Sequence, residues 1–451
     1  MDNAQQMGEE KIGRLLLKFS IPSIIGMLVN GMHTIVDRVF VGRGVGDLAL
    51  AGVAVTFPIV LAMMAFGMLI GFGATAVVSI RLGQQRKEDA EQVLGNAFVL
   101  LVAIGLMVTF FCYLFMDPLL ALLGASPEVL PYAKQFLKVL LLGTVFLSVG
   151  FGLNSIIRAE GNPRIAMYTM ILGAVINVIL NPVFIFGLKM GVAGSALATV
   201  SAQFVTAVWV VYYFLSSHSL LKLRVQNFRL KWIAVKDTLA IGLSPFSMQM
   251  VGSFVTVFFN KSLSTHGGDP AIAAFAVITS ITMLVFMPIL GISQGAQPIM
   301  GYNFGAKSYD RVKETFKLAA LGATGVVTVG FLLVQLFPTA IMSLFSAEAE
   351  LILLGAEGMR LYLLMLPVIG FQFVAVGYFQ ATGQPRKSLF LSMCRQLIFL
   401  VPMIWLLPQF LGLYGIWLAA PVSDIFSAIL TATLLRLDLI RLGKSEKAEV
   451  L

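Results

Sequence analysis

IPSIIGMLVNGMHTIVDRVFVG, residues 21–42, is apolar enough to lie in a bilayer, yet it holds a carboxylate, Asp37, inside its own hydrophobic run. An acid in the hydrocarbon region costs roughly 2.5–3.5 kcal/mol even on the lenient insertion scale, so it usually faces a protein interior or a wet cavity. On a helix, Asn30, His33 or Thr34, and Asp37 recur at three- and four-residue spacing and share one face. The opposite face, with Ile25, Leu28, Val29, Ile35, Val36 and Val39, suits lipid or packed helices. Asp37 is therefore expected to be an ion- or proton-responsive acid lining a pathway. A second reading stays open at this point: an acid near the helix end that reaches the headgroups beside Arg38.

Outward from this stretch, the composition sets the class. Hydrophobic residues make up 58% of the 451 and charged residues 12%, against roughly 25% charged in an ordinary soluble domain. Apolar runs of spanning length follow one another, twelve in all from 15–41 to 414–436, which predicts an all-α polytopic membrane protein. The opening residues lack a small-residue cleavage site, so the first run is expected to be a retained span. Cys112 and Cys394 both fall inside predicted spans, and three scattered histidines form no metal-ligand spacing.

The net charge of +9 is a matter of topology rather than of nucleic-acid binding. Alternating segments on the N-terminal side, from Lys11 to Lys447, hold 23 of the 31 Lys and Arg, the outer segments hold 7, and Arg395 lies within a span. The positive-inside rule then puts both termini in the cytoplasm, and the basic surplus attracts anionic membrane lipid.

The chain also repeats itself. GATAVVSIRLGQQRKEDAEQV at 73–93 faces GAQPIMGYNFGAKSYDRVKET at 295–315, a shift of 222 residues, and at the same shift Gly161-Asn162-Pro163-Arg164 faces Gly383-Gln384-Pro385-Arg386. Two parallel six-span repeats around a central cavity are expected. Their division is an N-lobe over 1–215, a basic linker over 216–235 and a C-lobe over 236–451. The linker reads either as a stretch lying at the cytoplasmic interface or as a plain basic loop.

No nucleotide-binding or catalytic motif is found. An enzyme is not expected, and uphill movement would draw on an ion gradient. Polar residues concentrate in a few spans. In the first half these are Asn154, the pair Asn177 and Asn181 just before Pro182, and Ser195, Thr199 and Gln203 at fourfold spacing. Asn, Thr and carboxylate oxygens suit Na⁺ or a hydrogen-bond network around an acid, and they equally serve as contacts between helices. The second half offers Gln249, Gln294, Gln372, the acid Asp424 and the cation Arg395. From the inner end at 1.5 Å per residue, Arg395 lies about 12 Å deep and Asp424 about 18 Å, so an Arg395–Asp424 ion pair is a candidate.

The first-span run Asp37-Arg38-Val39-Phe40-Val41-Gly42, the glycine elbows at Gly83 and Gly305, Gly161-Asn162-Pro163 and the two six-span halves together resemble the multidrug and toxic compound extrusion (MATE) family of the MOP superfamily. The likeness covers nearly the whole chain and is closest to the bacterial DinF-like and MepA-like branch. It implies a secondary antiporter that exports organic cationic or amphipathic compounds in exchange for H⁺ or Na⁺ by alternating access. It also implies a prokaryotic inner membrane, no cofactor beyond the coupling ion, and a monomer. Residue by residue, Asp37 matches the family's first-span acid, Asn177 the fifth-span Asn and Thr199 the sixth-span Thr of an N-lobe cation or proton site. Asn181 stands where that pattern has Asp. A single N-lobe carboxylate favours a proton at Asp37, shared with His33, over a full Na⁺ site at Asp37, Asn177 and Thr199. Substrate-cavity candidates are Asn30, Asn154, Gln249, Gln294, Gln372 and Asp424. The rival reading within the superfamily is a lipid-linked precursor flippase, which would favour a basic groove for phosphates.

Overall fold

The computed structural model describes residues 4–345 and 348–450, with side chains described as far as Leu442. Lys444 and Lys447, counted above among the inner charges, lie outside the described side chains. No strand occurs among the described residues. Among the described residues, nine helices are long and apolar enough to cross a bilayer, and two bent helix pairs each supply one more span. The helix Trp232–Gly305 has 74 residues, about 110 Å at 1.5 Å per residue, far more than one crossing needs. It breaks at Gly268, whose φ of 65° leaves the right-handed helical region. The chain thus makes twelve crossings.

We number them α1 (Ile12–Gly44), α2 (Asp47–Gly83), α3 (Lys87–Leu114) and α4 (Leu130–Leu142 with Thr144–Ala159). Then come α5 (Pro163–Gly187), α6 (Val192–Leu215), α7 (232–267), α8 (269–305) and α9 (Tyr309–Leu336). The last are α10 (Ala349–Tyr362 with Leu366–Ala381), α11 (Pro385–Leu411) and α12, described from Leu413 to Leu442.

The repeat is visible in the backbone. Left-handed residues recur at the 222-residue shift as Gly46 and Gly268, Gln85 and Lys307, and Gly161 and Gly383. The short helices Met116–Leu122 and Pro338–Ser343 keep the same spacing. So do the bends, 54° in α4 at Gly143 and 48° in α10 ahead of Leu366. At Gly143 an added Cβ would overlap the Gln203 side chain of α6, so the bend uses a position without one. Pro367 sits in the first turn after the α10 break, where its missing N–H costs no helical bond.

Two compact units emerge. One unit joins Ile25–Phe246 to the stretch ending at Glu10; the other joins Lys11–Ile24 to the chain from Ser247 onward. The start of α7 therefore belongs to the first unit, where a Cβ on Gly73 of α2 would overlap the Thr238 carbonyl. The start of α1 belongs to the second, where a Cβ on Gly291 or Gly295 of α8 would lie 2.7 Å from Ile24 or 2.8 Å from Ser20. Backbones this close need glycine at the crossing. Pro22 and Pro245 each stand within three residues of these borders.

The 216–235 connection is neither a plain loop nor a regular helix. It is a strap bound to the first unit, with one 3₁₀ turn at Val225–Phe228. The buried Glu160 carboxylate accepts hydrogen bonds from Ser219 at 2.8 Å, from the Leu221 N–H at 3.1 Å and from the Tyr213 hydroxyl. Burial pushes this carboxyl above its ordinary value, and Tyr213 first among its donors opposes the rise. The second unit holds its own acid–tyrosine cluster with the roles exchanged between helices. There Asp438 of α12 accepts from Tyr378 of α10 and from Gln384, both at 2.8 Å, and pairs with Lys387.

Candidate functional site

The first unit brings Asp37 to α5 and α6 through small residues. Gly26 of α1 leaves room for Met170, since a Cβ there would lie 2.7 Å from its sulfur, and Gly44 leaves room for Ile185 and Phe186. These two contacts bracket Asp37 and seat it against α5. Between α5 and α6, Gly173 accommodates Thr206 and Gly194 accommodates the Phe184 backbone, with Cβ distances of 2.8 Å and 3.0 Å. Pro182 cannot donate to the helix ladder, and α5 continues from it as a π-helical stretch, Val183–Gly187. Asn181 is the last side chain before that change.

The result is a continuous polar chain. Asn181 donates Nδ2 to Asp37 Oδ1 at 2.7 Å and to Asn177 Oδ1 at 3.1 Å. Asn177 donates Nδ2 to Thr199 Oγ1 at 3.1 Å. Ser195 donates its hydroxyl to the same Asp37 oxygen at 2.8 Å. Asp37 therefore points into the unit. Arg38 beside it turns onto the Phe57 ring, 5.0 Å from its centre, which disfavours the reading of a carboxylate reaching for headgroups with Arg38. Asn177 and Asn181 are buried. Among the described residues, Asn181 Oδ1 and His33 Nδ1 are buried without a hydrogen-bond partner. His33 precedes Asp37 by one helical turn, so an acid and an imidazole share this face.

The residues of the expected Na⁺ trio are joined through Asn181. Asn177 and Thr199 bond to each other, and Asn181 stands between Asn177 and Asp37, presenting its N–H₂ to the carboxylate. Ser195 belongs to the site as fully as Asn181. The only signal for it in the sequence is the fourfold spacing with Thr199 and Gln203, which does not say that Asp37 is its partner.

The second unit treats its intramembrane acid differently. Arg395 donates Nε to Asp424 Oδ1 at 2.8 Å. Arg395 lies in a π-helical stretch of α11, Cys394–Leu400, and its guanidinium sits 5.5 Å from the Phe373 ring centre. Gln372 donates to the Asp424 carbonyl at 2.7 Å, and Ser423 donates to the Arg395 carbonyl at 2.8 Å. Met248, Gln372, Phe373, Arg395, Gln396 and Thr431 are among the residues around a small cavity of about 30 Å³. Gln372 Oε1 and Gln396 Oε1 are buried and lack partners among the described residues.

The other substrate-cavity candidates lie on four different helices. Asn30 is half-buried on α1, and its carbonyl accepts from Thr34. Asn154 is buried in α4, Gln249 half-buried in α7 and Gln294 buried in α8.

Comparison with known proteins assigns the family. The sequence model of the MatE family matches this chain twice, at residues 22–183 and 244–406, and the second match starts one 222-residue shift after the first. The multidrug export protein MepA of Staphylococcus haemolyticus is 27% identical over 422 residues, covering 94% of this chain and 93% of that protein. Among solved structures, an outward-facing multidrug resistance MATE transporter of the MOP superfamily superposes with a TM-score of 0.92 at 27% identity, covering 97% of this chain and 98% of the other. A MATE protein in a bent conformation gives 0.93 at 26% identity, with 99% of both chains covered. Two family matches at the spacing of the internal repeat, on twelve membrane-spanning helices, make this chain a member of the MatE family.

Proposed function

We propose that the chain is a secondary active multidrug efflux antiporter, exporting organic cationic or amphipathic compounds in exchange for protons, with Asp37 as the coupling group. The observation that carries this reading is the Asp37 carboxylate itself. It sits in a membrane span, and its hydrogen bonds come from neutral Asn181 and Ser195. A carboxylate so placed changes charge by taking up a proton or a cation rather than by breaking an ion pair. Asn181, Asn177 and Thr199 form a relay of adjustable donors and acceptors that can follow the change, and the unpartnered Asn181 Oδ1 and His33 Nδ1 give a proton or a water further places to bind.

A proton suits this donor set better than Na⁺, because Asn181 turns an N–H₂ rather than an oxygen toward Asp37 and Na⁺ asks for oxygen ligands. Loading Asp37 biases two helix arrangements, and substrate binding biases the same two in the opposite direction. Pro22 on α1 and Pro182 after Asn181 are the bending points nearest the acid. In the second unit, Gln372, Gln396 and Arg395 line a small recess where two unpartnered amide oxygens could accept from an N–H donor of a bound compound. The flippase reading wants cations free for phosphate, and Arg395 is engaged by Asp424. We place the protein in a prokaryotic cytoplasmic membrane as a monomer, on the family resemblance alone, and with both termini inside, on the charge asymmetry of its loops.

The test is purified protein in liposomes, with ethidium movement followed under an imposed ΔpH and, separately, under an imposed Na⁺ gradient. Movement driven by ΔpH alone and lost in Asp37→Asn is the expected outcome. Undiminished movement in that variant removes Asp37 from the mechanism, and movement under Na⁺ alone replaces the proton as the coupling ion.

A further inference from the structure

The strap between α6 and α7 has two unlike sides. Its inner side is fixed by buried polar bonds to α3: Gln92 and Asn96 each donate to the Asn227 and Arg229 carbonyls at 2.8–3.0 Å, and Asn96 accepts from the Lys231 N–H at 2.8 Å. A Cβ at Gly95 would overlap the Asn227 backbone, so this glycine is what lets the strap lie flat on α3. Phe228 packs on Phe98 at 5.4 Å, and Leu221 and Leu223 are buried.

The outer side exposes what a segment in water would hide: Val225 at 79%, Leu230 at 53%, Trp232 at 74% and Ile233 at 69%. Interleaved with these are the exposed cations Arg229, Lys231 and Lys236, which make no ion pair among the described residues, and Arg224, held at 3.6 Å from Glu91. Both ends of the strap are ends of membrane spans, Leu215 and Trp232, so this face stands at the level of the lipid headgroups.

We propose that the outer face of residues 224–236 is a docking surface for anionic phospholipid headgroups. Tryptophan and short apolar side chains enter the headgroup–acyl boundary, and the unpaired lysines and arginine meet lipid phosphates. Charge selects the lipid: zwitterionic headgroups satisfy the apolar residues equally well, but their own ammonium offsets the phosphate and leaves no net negative charge for the cations. Because the inner side is bound through backbone carbonyls and an N–H, the face is displayed as a rigid unit and pays little ordering entropy on contact. The occupant also explains why a bound strap keeps four large apolar side chains uncovered.

Fluorescence quenching of Trp232 tests this in the full chain. Trp209 and Trp405, both exposed, are replaced by phenylalanine, while the buried Trp417 stays as an internal reference. The protein is reconstituted in phosphatidylcholine vesicles with a minor share of phosphatidylglycerol, and the bromine label is placed on one lipid or the other. The expected result is quenching by brominated phosphatidylglycerol at least about fivefold above its bulk share, the factor equivalent to about 1 kcal/mol for one Lys or Arg near an anionic surface. The triple variant Arg229→Gln, Lys231→Gln, Lys236→Gln, all at exposed positions, returns quenching to the bulk ratio. Quenching that follows bulk composition in the parent protein overturns the proposal, as does a preference that survives the triple variant. A Trp232 that neither lipid quenches puts the face in water, open to a soluble partner, and overturns it too.

Discussion

Asp37, in the first unit, takes its hydrogen bonds from Asn181 and Ser195, and no cation donates to it among the described residues. Asp424, in the second, faces the Arg395 guanidinium at 2.8 Å and is 4% exposed. Both acids sit on spanning helices, Asp37 on the first and Asp424 on the last, and their charges are compensated in different ways. A carboxylate among neutral donors can change its charge while every neighbour keeps its own. A carboxylate paired with arginine cannot, because protonating it leaves a buried guanidinium alone. The first arrangement suits a coupling site and the second a fixed structural or binding element.

The widest separation between the two is expected in transport. Asp37→Asn keeps the size of the side chain and removes the charge change, so ΔpH-driven ethidium movement should fall to the leak of protein-free vesicles while thermal unfolding in detergent stays close to the parent. Asp424→Ala should do the reverse in kind, with stability failing first. Breaking a buried pair from one side costs about 3–5 kcal/mol, and the unfolding midpoint should drop accordingly. The double change Arg395→Met, Asp424→Leu removes both charges and should recover most of that loss, since apolar pairs of similar volume often replace buried ion pairs at little cost. No recovery in the double variant would make Asp424 more than a counter-charge, and the contrast between the units would fail.

A third variant makes the first unit carry a second charge. Asn181→Asp puts a carboxylate within hydrogen-bond reach of Asp37, and two such groups do not ionise together without a proton or cation between them. A Na⁺ gradient should then begin to drive export, where under the proposed proton coupling the parent protein responds to ΔpH alone. Continued indifference to Na⁺ would mean that Asn181 is not what sets the coupling ion.

These contrasts were partly legible in the sequence. Asp37 stands out because a charge in an apolar run is costly wherever it lies, and Asn177 and Asn181 stand out by their four-residue spacing. The Arg395–Asp424 pair is a candidate because the two opposite charges lie in neighbouring spans at depths only about 6 Å apart. Other links leave no periodic trace. Ser195 reaches Asp37 from another helix, and the bond from Gln372 ends on a backbone carbonyl, which carries no residue identity. The strap is hidden for the same reason: Gln92 and Asn96 read as the polar start of a span, and their partners are carbonyls more than 130 residues away in the chain. The unit borders inside α1 and α7 are equally silent, because an apolar helix looks the same whichever neighbours it packs on. Only Pro22 and Pro245 mark them.

The smallest expected effect lies at the far end of the Asp37 chain. Thr199 touches Asp37 only through Asn177 and Asn181, so Thr199→Val removes one neutral hydrogen bond and leaves the carboxylate with both of its own donors. One such bond is worth about 1 kcal/mol, and the transport rate should fall by no more than about fivefold. Ser195→Ala removes a bond to the carboxylate itself, which is worth about 1.5–3 kcal/mol, and should slow transport more than Thr199→Val does. The order of the two is the informative quantity. If Thr199→Val is the more damaging, the hydroxyl has a role of its own, such as holding the coupling ion directly, and Asp37 would no longer be the sole seat of charge exchange in the first unit.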